Sequence, residues 1–231
     1  MLQGNLLTSG PPAVADVPVL ERTQLDAHSW IDVARGFLLG ADDVMAEVIE
    51  SVAWRTGRRQ MYDRDVDDPR LSRWFRDPDD VPHPVLAAVR TALVDLYGVP
   101  LGGVGLNYYR DGADSVAFHR DRELRDPAET LVAIVTLGSR RPFRIRPFGG
   151  GPSIDVSPAS GDLVVMGGRC QTDWEHGVPK LARCGPRVSA SWRWSPDGSH
   201  RRAQRDGYFT SRSWRPAGSS PAGADRHPAL S

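Results

Sequence analysis

Lysine is almost missing from this chain. Lys180 is the only one, and arginine supplies the rest of 29 basic residues. Asp and Glu also number 29, so the formal net charge is zero. No bulk field draws such a chain toward nucleic acid or an anionic membrane surface, although a neutral total leaves room for a local basic groove. Cysteine is scarce as well. Cys170 and Cys184 are too few for a disulfide framework and lack the spacing of a zinc site, which fits a reducing compartment and a cytoplasmic location. No apolar run approaches the ~20 residues of a membrane-spanning helix. The opening stretch MLQGNLLTSGPPAVADVPVL has neither the basic start nor the compact apolar block of a secretory leader, so no membrane association is expected. What remains is a chain of 231 residues, suited to a single domain with a real core and expected to act as a monomer.

Texture changes along the chain. Residues 1–28, rich in Pro, Gly, Ala and Ser, read as a loose arm. Trp30 to Ala34 suits a short strand. Asp42 to Trp54 predicts a helix, with Val44, Val48 and Val52 at helical spacing and two acids in its first turn. Arg55 to Arg76 has no clean periodicity and reads as a functional loop. His83 to Tyr97 predicts a second helix, with Pro84 near its start and Gly98-Val99-Pro100 at its end. Short β segments then follow at Val104–Tyr109, Ser115–Phe118, Thr130–Leu137, Phe143–Pro147, Asp162–Met166 and Val188–Trp194. Two helices followed by six or more strands argue for an α+β, mainly β domain over residues 29–195, with helices packed on a sandwich or jelly roll. Residues 196–231 carry little apolar content and read as a disordered tail.

The chemistry gathers around NYYRDGADSVAFHRD, residues 107–121. His119 and Asp121 are two apart, so on extended backbone they share a face and can grip one cation. His176 lies downstream in Asp173-Trp174-Glu175-His176. Two histidines and one carboxylate form the facial set that holds Fe(II) with open positions. The same ligands also suit a hydrolytic zinc site. Arg187 and Arg193 follow in RVSASWR. An even spacing of six puts both on one strand face with the small Ser189 and Ser191, where two guanidiniums can hold a dicarboxylate. Trp192 and Trp194 fall on the opposite face and are expected in the core.

Taken in order, LNYYRDGADSVAFHRD, VAIVTLGSRRPFRIRP, GDLVVMGGRCQTDWEHGVPK and GPRVSASWR resemble the AlkB family of iron- and 2-oxoglutarate-dependent dioxygenases. The resemblance spans about Leu106 to Arg193, with a weaker likeness back through RRQMYDR. It implies a double-stranded β-helix (jelly roll) core with two flanking N-terminal helices. It implies Fe(II) on the catalytic residues His119, Asp121 and His176. For 2-oxoglutarate it implies Asn107, Tyr109 and Arg187, the last at the distal carboxylate, with Arg193 at the end nearest iron. Ser189 stands where many members carry Asn, and a serine still donates and accepts a hydrogen bond. O2 is the remaining co-substrate.

The family's reaction decarboxylates 2-oxoglutarate to succinate while an N-methyl carbon of the substrate is hydroxylated and leaves as formaldehyde. Its members often act on alkylated bases in nucleic acid, flipped out of the stack, as in the repair of alkylation damage. Tyr62 is then a candidate border of the base pocket. Glu123 is a candidate acceptor from an exocyclic amine. Arg140, Arg141, Arg144 and Arg146 are candidate phosphate contacts. Two other readings compete: the same iron chemistry on a small molecule, lipid or protein, and a non-catalytic nucleic-acid-binding module. Neither DNA nor RNA is singled out.

Overall fold

A computed structural model of the chain describes residues 10–61 and 64–198. Four strands open it: β1 (Ala13–Val14), β2 (Glu21–Gln24), β3 (Ser29–Ala34) and β4 (Leu38–Leu39). Helix α1 (Ala41–Ser51) leads to the pair β5 (Arg55–Met61) and β6 (Arg64–Phe75), and α2 (Pro84–Tyr97) follows. The rest is β7 (Val104–Tyr109), β8 (Val116–His119), β9 (Thr130–Gly138), β10 (Arg144–Pro147), β11 (Ile154–Asp155), β12 (Leu163–Gly168), β13 (Trp174–Val178) and β14 (Arg187–Trp194). A single-turn helix α3 (Cys170–Asp173) precedes β13, and a 3-10 turn (Arg122–Leu124) follows β8.

Eight strands form a major sheet in the order β2-β3-β12-β9-β14-β7-β6-β5, and four form a minor sheet, β11-β10-β13-β8. Every paired strand in both sheets is antiparallel. This is the jelly roll expected from the strand pattern. Side-chain alternation divides the major sheet into two faces. Leu131, Ala133, Val135 and Leu137 of β9 pack with Val44 and Val48 of α1 and Leu86 and Val89 of α2. Val132 and Ile134 point the other way, into the space between the sheets, with Ile145 of β10 and Val178 of β13. Trp192 is buried on the helix side with Trp194 packed against the same cluster, as predicted. Helix α2 is set by its ends. His83 Nδ1 accepts from the Val85 amide (3.1 Å), Pro84 fills the first turn, and Gly98 closes it at φ 66°. Among the described residues, no helix is long and apolar enough to cross a membrane.

Two stretches differ from the sequence reading. Residues 13–14 and 21–24, inside the expected loose arm, form β1 and β2. Polar side chains pin β2 to the sheet edge. Arg22 grips the buried Asp32 through two bonds (2.6 and 2.7 Å) and lies 3.8 Å over the Trp30 ring. Arg55–Arg76, expected as a loop, is mostly the antiparallel ladder β5–β6. Strand β5 is an edge, paired on one side by backbone bonds, so its sequence carries no apolar alternation to read. Residues 1–9 and Tyr62 lie outside the described residues, as does the tail beyond residue 198.

Candidate metal centre and co-substrate pocket

The minor sheet brings the histidines together. His119 ends β8 and is the cross-strand partner of His176, which pairs on its other side with Ile145 of β10. Their rings lie 4.3 Å apart, centroid to centroid. The chain leaves β8 still extended at Asp121 (φ −61°, ψ 119°), so the predicted sharing of a face holds beyond the strand's end. His119 Nδ1 donates to the Ala117 carbonyl (2.9 Å), which leaves Nε2 as the ring's lone-pair atom, 3.6 Å from Asp121 Oδ1. Ligand atoms of His119, Asp121 and His176 all lie within 4.8 Å of one another, the one such His/Cys/Asp/Glu group among the described residues. Gln171 of α3 anchors Asp121 by accepting its backbone N–H (2.8 Å).

Electrostatics prepare these groups as ligands. Burial, aided by the charge of His119, pushes the His176 pKa down to about 3, so its imidazole is neutral at physiological pH. Burial acts to raise the Asp121 pKa. The Arg193 guanidinium and the two histidines outweigh it and hold Asp121 well below the ordinary carboxylate range.

Register sets the residues expected to hold the co-substrate in rows across the major sheet. Tyr109, Arg187 and Gly138 lie side by side; the next row is Asn107, Ser189 and Thr136. Arg187 is fully buried. Its Nη2 donates to Thr136 Oγ1 (3.2 Å), while Nε and Nη1 meet no acceptor among the described residues. Its charge centre lies 5.5 Å from the Tyr109 ring centroid. Burial brings its pKa down to about 10, still charged at neutral pH. A buried guanidinium with two unspent donors is costly unless an anion completes it. A carboxylate is the natural partner, and Arg193, six residues on along the same strand face, bonds Asp121 of the histidine–aspartate set. The residues therefore fit both Fe(II) and a dicarboxylate.

Arg193 meets the protein's own polar side chains. It donates to Asp121 Oδ2 (2.6 Å) and Ser191 Oγ (3.1 Å), and lies 3.5 Å from Glu123 Oε1. It frames Asp121, the candidate metal ligand. Glu123 sits in the 3-10 turn with most of its side chain covered. Burial and the neighbouring Asp121 charge raise its pKa, against the pull of Arg193. Of the four candidate phosphate arginines, Arg141 is excluded. It is 1% exposed and spends Nη1 and Nη2 on the carbonyls of Asp111, Asp114 and Pro179, while its buried Nε has no hydrogen-bond partner among the described residues. Arg146 is paired with Glu175 (2.6 Å) on the outer face of the minor sheet. Arg144 lies 3.9 Å from Asp155, and Arg140 is exposed.

Asp111-Gly112 does not join paired strands. It passes the chain from β7 in the major sheet to β8 in the minor one. A Cβ at Gly112 would stand 2.3 Å from the Leu181 carbonyl oxygen, so only glycine fits that crossing. Sequence reasoning missed Thr136, Gln171 and Arg70, and gave Arg141 a surface role in place of its buried one. Thr136 alone left a signal, a polar residue within an otherwise apolar strand.

The chain is similar to known proteins in sequence and in fold. A family profile for the 2OG-Fe(II) oxygenase superfamily, whose members use Fe(II), 2-oxoglutarate and O2, matches residues 43–205. The alpha-ketoglutarate-dependent dioxygenase alkB homolog 3 of Homo sapiens is 28% identical, with 66% of this chain and 61% of the relative covered. The DNA oxidative demethylase ALKBH2 of Homo sapiens is 31% identical over 48% of this chain and 46% of its own length. The chain thus spans less than two thirds of these relatives. Among solved structures, a prolyl hydroxylase from Trichoplax adhaerens shares the fold at a TM-score of 0.58 and 12% identity, covering 75% of this chain and 86% of the other. A Pseudomonas putida prolyl-4-hydroxylase does so at 0.51 and 16%, covering 72% and 92%. With more than half of its length matched by the profile, the chain belongs to the 2OG-Fe(II) oxygenase superfamily, and its sequence relatives within it are AlkB homologues.

Proposed function

We propose that this protein is an Fe(II)- and 2-oxoglutarate-dependent dioxygenase that removes alkyl groups from the ring or exocyclic nitrogens of nucleobases in nucleic acid. The observation that carries it is one juxtaposition. The His119–Asp121–His176 group shares the space between the sheets with a buried Arg187 whose Nε and Nη1 lack partners.

In this reading His119 Nε2, the Asp121 carboxylate and an imidazole nitrogen of His176 hold the iron. Arg187 takes the distal carboxylate of 2-oxoglutarate in a fork, with the Tyr109 ring as its wall. Asn107 and Ser189 serve the end nearer the metal. Bound there, iron with 2-oxoglutarate and O2 supplies the oxidising power for a substrate C–H bond. The chain's own residues do the rest. Arg193 keeps Asp121 ionised and fixes which carboxylate oxygen is left for the metal. His119, partly exposed, and Glu123 stand at the substrate side. Glu123 can accept from an exocyclic amine, and as a carboxylate it favours a cationic alkylated base. Covering the cavity with the substrate excludes water from the oxidation. The C–N bond of the hydroxylated alkyl group then breaks: its electron pair stays on the base nitrogen, the hydroxyl gives up its proton to that nitrogen or to solvent, and the carbon leaves as an aldehyde.

Nucleic acid as the substrate is supported by the family resemblance and by one relative being a DNA oxidative demethylase. The test is a mass-spectrometric screen of methylated DNA and RNA oligonucleotides with Fe(II), ascorbate and 2-oxoglutarate. Loss of a methyl group with matching succinate is expected. Decarboxylation of 2-oxoglutarate without methyl loss from any oligonucleotide would overturn the substrate assignment while leaving the iron chemistry standing.

A further inference from the structure

Strand β6 pairs with β7 in a register that sets Ser72 opposite Asn107 and Leu71 opposite Tyr108. Alternation therefore puts Arg70, Ser72 and Trp74 on the same face as Asn107 and Tyr109, between the sheets. Arg70 is half-buried, and its Nε lies 3.0 Å from Asn107 Oδ1. A guanidinium has donors and no acceptor, so the amide atom that meets it has to be the oxygen. That fixes an amide which is otherwise close to symmetric in shape. The Asn107 Nδ2 donors are then left on the far branch. Asn107 is 8% exposed, and no acceptor for Nδ2 is found among the described residues. Asn107 is likewise the only hydrogen-bond partner found there for Arg70.

We infer that Arg70 is a positioning residue for co-substrate binding: it locks the Asn107 amide so that Nδ2–H, not Oδ1, faces the carboxylate of 2-oxoglutarate nearer the metal. This rests on the proposed co-substrate site. Without the lock the amide turns over at little cost, and the turned form sets a carbonyl oxygen against a carboxylate. Arg70 acts through Asn107 and needs no contact with 2-oxoglutarate itself.

The test measures 2-oxoglutarate affinity by calorimetry on the full chain loaded with Fe(II) under anaerobic conditions. Arg70→Met keeps the stem and removes the donors; it should weaken binding about 3- to 10-fold, the range of one net hydrogen bond. Arg70→Lys restores a donor for Oδ1 and should recover most of that loss. In an Asn107→Ala background, Arg70→Met should change the affinity no further, since the residue it serves is gone. Equal weakening in both backgrounds would overturn the inference and assign Arg70 a direct electrostatic role. Unchanged affinity of Arg70→Met would overturn it outright. If the unmutated chain binds no 2-oxoglutarate at all, the proposed site fails first, and that outcome is recognisable before any variant is compared. Should Arg70→Met not fold, Arg70→Ala carries the same comparison.

Discussion

Arg187 and Arg193 are the same residue on the same strand face, six positions apart and both nearly inaccessible, yet their surroundings are opposite. Arg193 is paired by Asp121, Ser191 and Glu123, and these carboxylates outweigh burial to hold its pKa above the ordinary value. Arg187 has one weak partner in Thr136 and two bare donors, and burial prevails, bringing its pKa down to about 10. The difference separates frame from site. A buried charge that the protein has already completed supports the architecture. One that the protein leaves incomplete marks where a ligand of opposite charge belongs.

The comparison can be broken at several points. The largest effect is expected from His176→Ala, which removes the metal that both arginines serve. Turnover should vanish, and bound iron measured by elemental analysis should fall to background. If that variant keeps its 2-oxoglutarate decarboxylation, the ligand assignment is wrong. Next, Arg193→Met strands the buried Asp121 carboxylate, so it should cost the fold about 3–5 kcal/mol in denaturant unfolding without ligands. A loss under about 1 kcal/mol would show that Arg193 is not the frame. Arg187→Met should do the reverse. It should weaken 2-oxoglutarate binding by about 100-fold, the worth of two charge-assisted bonds, while the ligand-free fold is as stable as before or more so. An unchanged 2-oxoglutarate requirement would remove Arg187 from the site.

The smallest effect concerns an ion pair far from the chemistry. Asp162 is held below its ordinary pKa. Burial acts to raise it, but the bonds from Arg35 and from the amides of Ala159 and Gly36 prevail. Its contribution is therefore complete above the ordinary carboxylate pKa of about 3.9 and fades as pH falls through its lower folded value. Asp162→Asn should cost about 1–3 kcal/mol at neutral pH. The gap from the unmutated chain should narrow in acid; a gap that widens there would reverse the sign of this linkage.

Much of the site was legible because strands turn even spacings into shared faces. His119 with Asp121, Asn107 with Tyr109, and Arg187 with Arg193 are all such pairs, and the structure sets each on a common side. What spacing does not carry is which atoms meet across the chain. Arg70 on Asn107, Gln171 on the Asp121 amide and Arg141 on three carbonyls join segments tens of residues apart. Nothing local marks them. Strand β5 was unreadable for a related reason: an edge strand is held by backbone bonds on one side, and its sequence is free to be polar. His176 was found, but the strand that carries it was not: β13 is five mixed residues, with Gly177 where β13 and β8 lose register between His176 and Val178.

The central claim is that one cavity holds Fe(II) and 2-oxoglutarate together. Anaerobic titration of the unmutated chain with both, followed by visible absorption, tests it most directly. A charge-transfer band that needs both components and saturates at one of each per chain is the predicted result. No band under saturating iron and 2-oxoglutarate would contradict it.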